Sequence, residues 1–284
     1  MKKFGKFLKT AIAIILICAI LYVIIWADNK TIVTTSYTVS SEEIPQSFDE
    51  FKIVQVSDLH NDLFGENNAD LISAIEASEP DIIVLTGDIM DSYDTQLQIA
   101  GDFVESIAAI APIYFVTGNH EGRYPSVYAE LENCMTDVGV TVLRGESAEI
   151  ELNGESITIC GIDDPNFTAI EKYEYTEQFF QNLTNLIPQE GYTILLSHRP
   201  EIFEIYAKTS ADLVLSGHAH GGQIRLPVLG GVLVPAQGFF PLYEEGMHEK
   251  DGTTMIISRG LGNSSFPLRV NNPPELVVVT LKAK

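Results

Sequence analysis

Five times along this chain a short apolar run ends, and a segment rich in Asp, Asn, His and Gly follows at once. Lys52–Ser57 leads into Asp58-Leu59-His60, and Asp81–Thr86 into Gly87-Asp88-Ile89-Met90-Asp91. Ile113–Thr117 leads into Gly118-Asn119-His120-Glu121, Tyr192–Leu196 into Ser197-His198-Arg199, and Ala211–Leu215 into the stretch from Gly217 to Gln223, Gly-His-Ala-His-Gly-Gly-Gln. Apolar runs of this length bounded by turn residues read as buried strands. In open α/β sheets, sites form at the carboxyl ends of strands. Five such loops on one sheet edge would converge on one place. Five of the six histidines fall in these loops and only His248 does not, a segregation that scattered structural histidines would not show.

Between the runs the apolar spacing is helical at Asn67–Ser78, Gln96–Ala109, Ser126–Val138, Thr168–Leu186 and Glu201–Lys208. Thr31–Val39 is β-branched and alternating, a first strand. Val140–Leu143, Ala148–Leu152 and Ser156–Ile162 read as hairpin strands, with Asn153-Gly154 a strong turn signal. Thr253–Ser258 and Leu276–Leu281 close the series as strands. At 284 residues the chain is long enough for one large α/β domain, with no internal repeat.

Residues Ala11–Ala27 are an unbroken apolar run after Lys2, Lys3, Lys6 and Lys9. As a helix it spans roughly 25 Å, near the lower end for crossing a bilayer. The expectation is a cytoplasmic basic N-terminus (1–10), a transmembrane signal-anchor (11–27), a tether with the first strand (28–50), and an extracytoplasmic catalytic domain (51–284). A cleaved signal peptide is the alternative. Taking the four N-terminal lysines from the 17 basic residues leaves 13 against 39 acidic ones, a balance of about −26 for the rest. Such a surface repels phosphate backbones, so nucleic acid is an unfavoured partner. Cys18 lies in the apolar run, and Cys134 and Cys160 read as buried small hydrophobes; neither a disulfide framework nor a zinc-type pair of cysteines is present.

Carboxylate, amide and imidazole groups without a thiolate suit Mn, Fe or Zn. In the second half of the pattern, His218 and His220 stand at i and i+2, where an extended segment would project both the same way, each reaching a different ion. The polar set Asp58, His60, Asp88, Asn119, His120, His198, His218 and His220 exceeds what one ion takes. It suits two ions sharing a carboxylate, an arrangement that holds a hydroxide and clamps the oxygens of an in-line displacement at phosphorus.

Asp-x-His, Gly-Asp-x-x-Asp, Gly-Asn-His-Glu, a lone His after a strand, and Gly-His-x-His, in this order, resemble the calcineurin-like metallophosphoesterases. The resemblance covers about Lys52–Leu281. The N-terminal run, Gly221-Gly222-Gln223 and the tail Ser258-Arg259-Gly260 with Arg269 and Pro274-Glu275 are similar to its bacterial membrane-associated branch. The resemblance implies a four-layer αββα sandwich of two mixed sheets. It implies two divalent ions, manganese favoured, with Asp58, His60 and His220 on the first, Asn119, His198 and His218 on the second, and Asp88 bridging. It implies that His120 is an unliganded catalytic residue oriented by Asp91.

Arg199, Arg225, Arg259 and Arg269 lie in or near the site loops and are candidates for a basic rim that takes the substrate phosphate. Asn263 and Gly260–Gly262 either approach a substrate or form a turn. Asp62 and Asp94 read as loop formers. Glu121 either orients a neighbouring ligand or caps the following helix. The expected function is hydrolysis of phosphate mono- or diesters. The alternatives are hydrolysis of a lipid-linked pyrophosphate (a UDP-diacylglucosamine type or a phospholipid) and metal-dependent binding of phosphorylated envelope polymer without turnover. No obligate protein partner is implied.

Overall fold

The structure, a computed structural model, describes residues 2–93, 96–168, 177–234, 237–263 and 268–284. In chain order its elements are α1 (Lys2–Lys30), β1 (Val33–Ser41), β2 (Lys52–Val56), α2 (Ala69–Ala77), β3 (Ile82–Leu85), α3 (Leu97–Ala108), β4 (Ile113–Phe115), α4 (Asn119–Arg123), α5 (Pro125–Asp137), β5 (Thr141–Val142), β6 (Glu146–Leu152) and β7 (Glu155–Gly161). There follow α6 (Glu177–Leu186), β8 (Thr193–Leu196), α7 (Phe203–Tyr206), β9 (Leu213–Ser216), β10 (Arg225–Leu226), β11 (Gly230–Gly231), β12 (Leu233–Val234), β13 (Gly238–Phe239), β14 (Gly246–Lys250), β15 (Thr253–Ile257) and β16 (Glu275–Ala283).

Two six-stranded sheets organise them, in the orders β1-β16-β2-β3-β4-β5 and β14-β15-β9-β8-β7-β6. Both are mixed. In the first, β2, β3, β4 and β5 run parallel while β16 is antiparallel to β2. In the second, β7, β8, β9 and β15 run parallel, flanked by antiparallel β6 and β14. Side chains alternate across a strand, and each central strand is apolar on both faces. Ile82 and Val84 therefore join the core between the sheets, while Ile83 and Leu85 join the core under α2, α3 and α5. Ile194 and Leu196 face the inter-sheet core, and Leu195 packs with Phe203 and Tyr206 of α7 on the outer side. The result is helices, sheet, sheet, helices. Buried Gln55 ties the sheets together near their carboxyl edge, donating to Thr86 Oγ1 (3.0 Å) and Ser216 O (2.9 Å).

Most elements match the apolar pattern, and the departures have physical causes. Val140–Leu143 is not a hairpin strand; β5 pairs parallel with β4 at the edge of the first sheet. The hairpin is β6–β7, turned by Asn153 (φ 53°) and Gly154 (φ 85°). Much of the Thr168–Leu186 helix lies outside the described residues; α6 is its described end. Cys134 is exposed on α5 rather than buried, whereas Cys160 is buried.

The expected transmembrane span is corrected: among the described residues, no helix is long and apolar enough to cross a membrane. The apolar run covers roughly 25 Å, short of the roughly 30 Å hydrocarbon core. The helix that contains it also includes the charged N-terminal segment and ends on the domain itself. Asn29 exchanges side-chain hydrogen bonds with the backbone of Arg269 (both 2.9 Å), and Lys30 pairs with Asp62 at 2.8 Å. β1 follows and pairs in register with β16 from Val33 to Ser41.

Candidate dinuclear metal centre

Parallel β2, β3 and β4 in one sheet, and β8 and β9 in the other, deliver their following loops to one edge. The backbone there is unusual. Asp58, His60, Asp88, His218 and His220 all have positive φ, between 47° and 67°. Left-handed backbone is uncommon for non-glycine residues, and its clustering marks a place where surrounding contacts over-determine the conformation. Those contacts are visible. Asp58 N–H donates to Gly87 O and His60 N–H to Asp88 O, both at 3.0 Å. Gly118 and Gly217 are required by close approach, since a Cβ on the first would stand 2.2 Å from Asp88 Oδ1 and on the second 1.9 Å from Ser57 Oγ.

Every residue of the expected ligand set is buried. Asp58, His60 and His220 offer ligand atoms within 4.8 Å of one another, as do Asp88, His198 and His218. His60 Nε2 and His220 Nε2 face each other at 3.1 Å, and Asp58 Oδ1 is 3.3 Å from His220 Nε2. Asp88 lies between the groups. Its Oδ1 accepts the His120 backbone N–H at 2.7 Å, leaving Oδ2 3.2 Å from His198 Nε2 and 3.7 Å from His60 Nε2. His198 Nδ1 donates to Thr86 O at 2.7 Å, which turns its other nitrogen inward. Asn119 Oδ1 is buried with no hydrogen-bond partner among the described residues. Buried polar atoms are ordinarily satisfied, so this orphaned amide oxygen and a pair of facing imidazole nitrogens fit cation ligation.

The electrostatics agree at His60, His218 and His220 but not at His198, where Asp88 and Asp58 outweigh burial and raise the pKa to about 10, so that a bound ion would have to displace a proton there. Burial opposes charge throughout. At Asp88 the surrounding His198, His120 and His60 outweigh burial and hold the carboxyl well below its usual range. Burial pushes Asp58 up to about 6 and His60 down to about 3. Burial also holds His218 and His220 well below the ordinary histidine value, with Arg199 beside the first and His60 beside the second adding to it. A low-pKa imidazole is neutral, the form that ligates a metal.

Two details differ from the extended-strand picture. His218 and His220 diverge because both occupy left-handed backbone, with His220 opening a turn at His220–Gly222. Asn119 and His120 begin α4, so their directions differ by a helical step rather than a strand's alternation. His120 Nδ1 lies 3.2 Å from Asp91 Oδ1 and also 3.0 Å from the Ser92 backbone N–H. Burial opposes a charged His120, but Asp88 and Asp91 raise its pKa.

The four arginines are engaged. Arg199 is buried in an ion pair with Asp164, its Nη1 2.8 Å from His218 Nε2. Arg269 is buried against Arg259 O and Gly262 O, and burial lowers its pKa to about 10. Arg225 pairs with Glu244 and Glu245, and Arg259 with Glu245 and Glu275. Gly260 and Gly262 pack behind Asp58, whose carbonyl accepts the Gly262 N–H at 2.7 Å. Asn263 Oδ1 is buried without a hydrogen-bond partner among the described residues. Asp62 accepts the Leu63 N–H at 2.8 Å as a loop former does, and Asp94 lies outside the described residues. Sequence reasoning missed Ser92 and Arg123. Neither carried a motif signal; Arg123 follows Gly-Asn-His-Glu by two residues and could have been suspected from that position alone.

Comparison with known proteins converges on one family. The family model for calcineurin-like phosphoesterases matches residues 51–222. YkuE of Bacillus subtilis (strain 168), a metallophosphoesterase, is 38% identical over 91% of this chain and 88% of its own length. A metallophosphoesterase of Aquifex aeolicus (strain VF5) is 31% identical over 87% of this chain and 91% of its own. Among solved structures, the sulfate thiohydrolase SoxB of Thermus thermophilus has the same fold, with a TM-score of 0.50 at 12% identity over 84% of this chain and 58% of that one. The chain belongs to the calcineurin-like phosphoesterase family, on the branch that contains YkuE, and is a metal-dependent phosphoester hydrolase.

Proposed function

We propose that this chain hydrolyses phosphate mono- or diesters at a centre of two divalent ions, manganese favoured. Asp58, His60 and His220 hold one ion, Asn119, His198 and His218 the other, and Asp88 serves both. The observation that carries this reading is Asp88 Oδ2, poised between His198 Nε2 (3.2 Å) and His60 Nε2 (3.7 Å). Bound there, two ions would acidify a water and neutralise charge developing on the phosphoryl oxygens. The residues supply the rest. His120, carrying no ligand duty, donates a proton to the leaving oxygen, and Asp91 favours its charged form. The Thr86 carbonyl and the His120 backbone N–H fix His198 and Asp88 in place, so the charge-stabilising groups are preorganised.

The deciding experiment uses the full chain stripped by chelation and reloaded with one metal at a time. A panel of monoesters, diesters and lipid-linked pyrophosphates is then assayed for phosphate release. Metal-dependent turnover of one ester class supports the reading; no turnover with any metal would overturn it.

A second reading, an amphiphilic phosphoester substrate such as a lipid-linked pyrophosphate, is favoured by one feature. The segment after His220 exposes Leu226, Val228, Leu229, Leu233, Phe239 and Phe240. Exposed apolar side chains on the segment that follows a ligand loop suit an apolar substrate moiety.

A further inference from the structure

The chain has six arginines, all among the described residues. Arg144, Arg199, Arg225 and Arg259 are in ion pairs, and Arg269 is enclosed by backbone carbonyls. Among the described residues, Arg123 alone is exposed and forms no ion pair. In a protein of net charge −22, a surface guanidinium with no carboxylate partner among the described residues suits an incoming anion. It is held in place. Nη1 donates to Ser92 Oγ (3.2 Å) and Tyr93 Oη (3.3 Å), and the guanidinium lies 5.6 Å from the Tyr93 ring centroid. Ser92 Oγ is 3.1 Å from His120 Nδ1, and the Tyr93 ring meets the His120 ring edge-on at 6.0 Å.

Nε and Nη2 make no hydrogen bond to a described residue, which leaves donors in the planar fork that takes a phosphate by two bonds. Arg123 sits on the Nδ1 side of His120, one hydroxyl removed from the ring. Through Ser92 and Tyr93 it is an exposed cation adjoining His120, so a group that departs past His120 is the part of a substrate nearest to it. The exposed aromatic ring of Tyr93 adds stacking surface there.

We propose that Arg123, supported by Tyr93, is a specificity-determining subsite that binds a second phosphate carried by the leaving group. The proposal rests on the reading of His120 as the group beside the leaving oxygen. It would make the preferred substrates esters or anhydrides whose leaving group is itself anionic.

The test uses the full chain loaded with Mn²⁺ and two probes differing by one terminal phosphate, butyl phosphate and 1,4-butanediol bisphosphate. Each is also supplied as the methyl diester at the reacting phosphate. Phosphate or alcohol release gives kcat and KM, and calorimetry gives binding independently of turnover. The wild type should prefer the bisphosphate, and Arg123→Met should reduce that preference by about 10–100-fold, chiefly in KM, the range for a lost hydrogen bond to a charged group. Arg123→Lys should restore part of it, since the charge stays and the fork is lost. No preference in the wild type, or a preference unchanged in Arg123→Met, would overturn the subsite. Equal losses on both probes would also overturn it, because they would show Arg123 acting only through Ser92 and His120. If the wild type turns over neither probe the hydrolytic reading fails, and the calorimetric preference alone still decides the subsite.

Discussion

Glu121 clamps the loop that carries Asp88. One carboxylate oxygen accepts the Asp88 backbone N–H at 2.9 Å and the Gly118 N–H at 2.7 Å; the other accepts those of Ile89 (2.9 Å) and Met90 (3.2 Å). Glu121 is fully buried, and burial with Asp88 nearby pushes its pKa to about 7. A buried acceptor serving four donors from two strand ends holds the loops after β3 and β4 at a fixed distance. Glu121→Gln would turn an amide group toward two of those donors. Leaving a buried donor unsatisfied costs about 1–3 kcal/mol, so thermal unfolding should shift down by several degrees. Mn²⁺ affinity measured by equilibrium dialysis should fall with it. A variant with wild-type melting and wild-type affinity would remove the clamp.

Asp88 faces both ligand groups through one oxygen, at 3.7 Å from His60 Nε2 and 3.2 Å from His198 Nε2. Asp88→Asn keeps the shape and removes the charge. The expected outcome is a folded protein with reduced metal content and abolished hydrolysis, checked by circular dichroism and elemental analysis. Unchanged metal stoichiometry would exclude Asp88 as the shared ligand.

The sheet edge and its residues were legible because two signals coincide: apolar runs that must be buried, and polar loops placed at their ends. Asp58, His60, Asp88, His198, His218 and His220 converge for that reason. What was not legible depends on side-chain partners far apart in sequence. Arg269 read as a rim cation, yet it is buried against carbonyls of Arg259 and Gly262, a state set by how the last loop folds back. Arg225 and Arg259 share Glu245, whose proximity no local pattern announces. The positive φ of His218 and His220 goes with long-range ties, His218 N–H donating to the Asp58 carboxylate at 3.1 Å and Asn272 Nδ2 donating to His220 O at 2.7 Å, that no local pattern announces. The N-terminal run misled for another reason. Its apolar length is marginal, and no described helix is long and apolar enough to cross a membrane.

Metal affinity should depend on pH through Asp58. Burial raises its pKa to about 6 in the metal-free protein. Ligation needs the carboxylate, so protons compete with the ion at a higher pH than for an ordinary Asp. Affinity should hold above that value and fall as pH drops through about 6. Dialysis against Mn²⁺ at pH 5 to 7.5 measures this. A midpoint near 4, the ordinary carboxyl range, would mean that Asp58 is not a ligand or is not desolvated as the structure has it.

His120 has two mutually exclusive partners at one nitrogen. The Ser92 N–H can donate to Nδ1 only when Nδ1 is bare, whereas Asp91 Oδ1 at 3.2 Å pairs with it only when it is protonated. Despite burial, Asp88 and Asp91 raise the His120 pKa above its ordinary value of about 6.5. A general acid works protonated, so kcat should fall as pH rises through that raised pKa. Asp91→Asn removes the partner of the charged ring and should move this alkaline limb to lower pH. His120→Asn should keep both metals and lose about 10²–10⁴-fold in kcat with a poor alkyl leaving group, the usual worth of general acid help. With 4-nitrophenolate leaving, which needs little protonation, the loss should be far smaller. Equal losses on both substrates would leave His120 stabilising charge on the phosphoryl group instead. Loss of a metal ion in His120→Asn would make it a ligand.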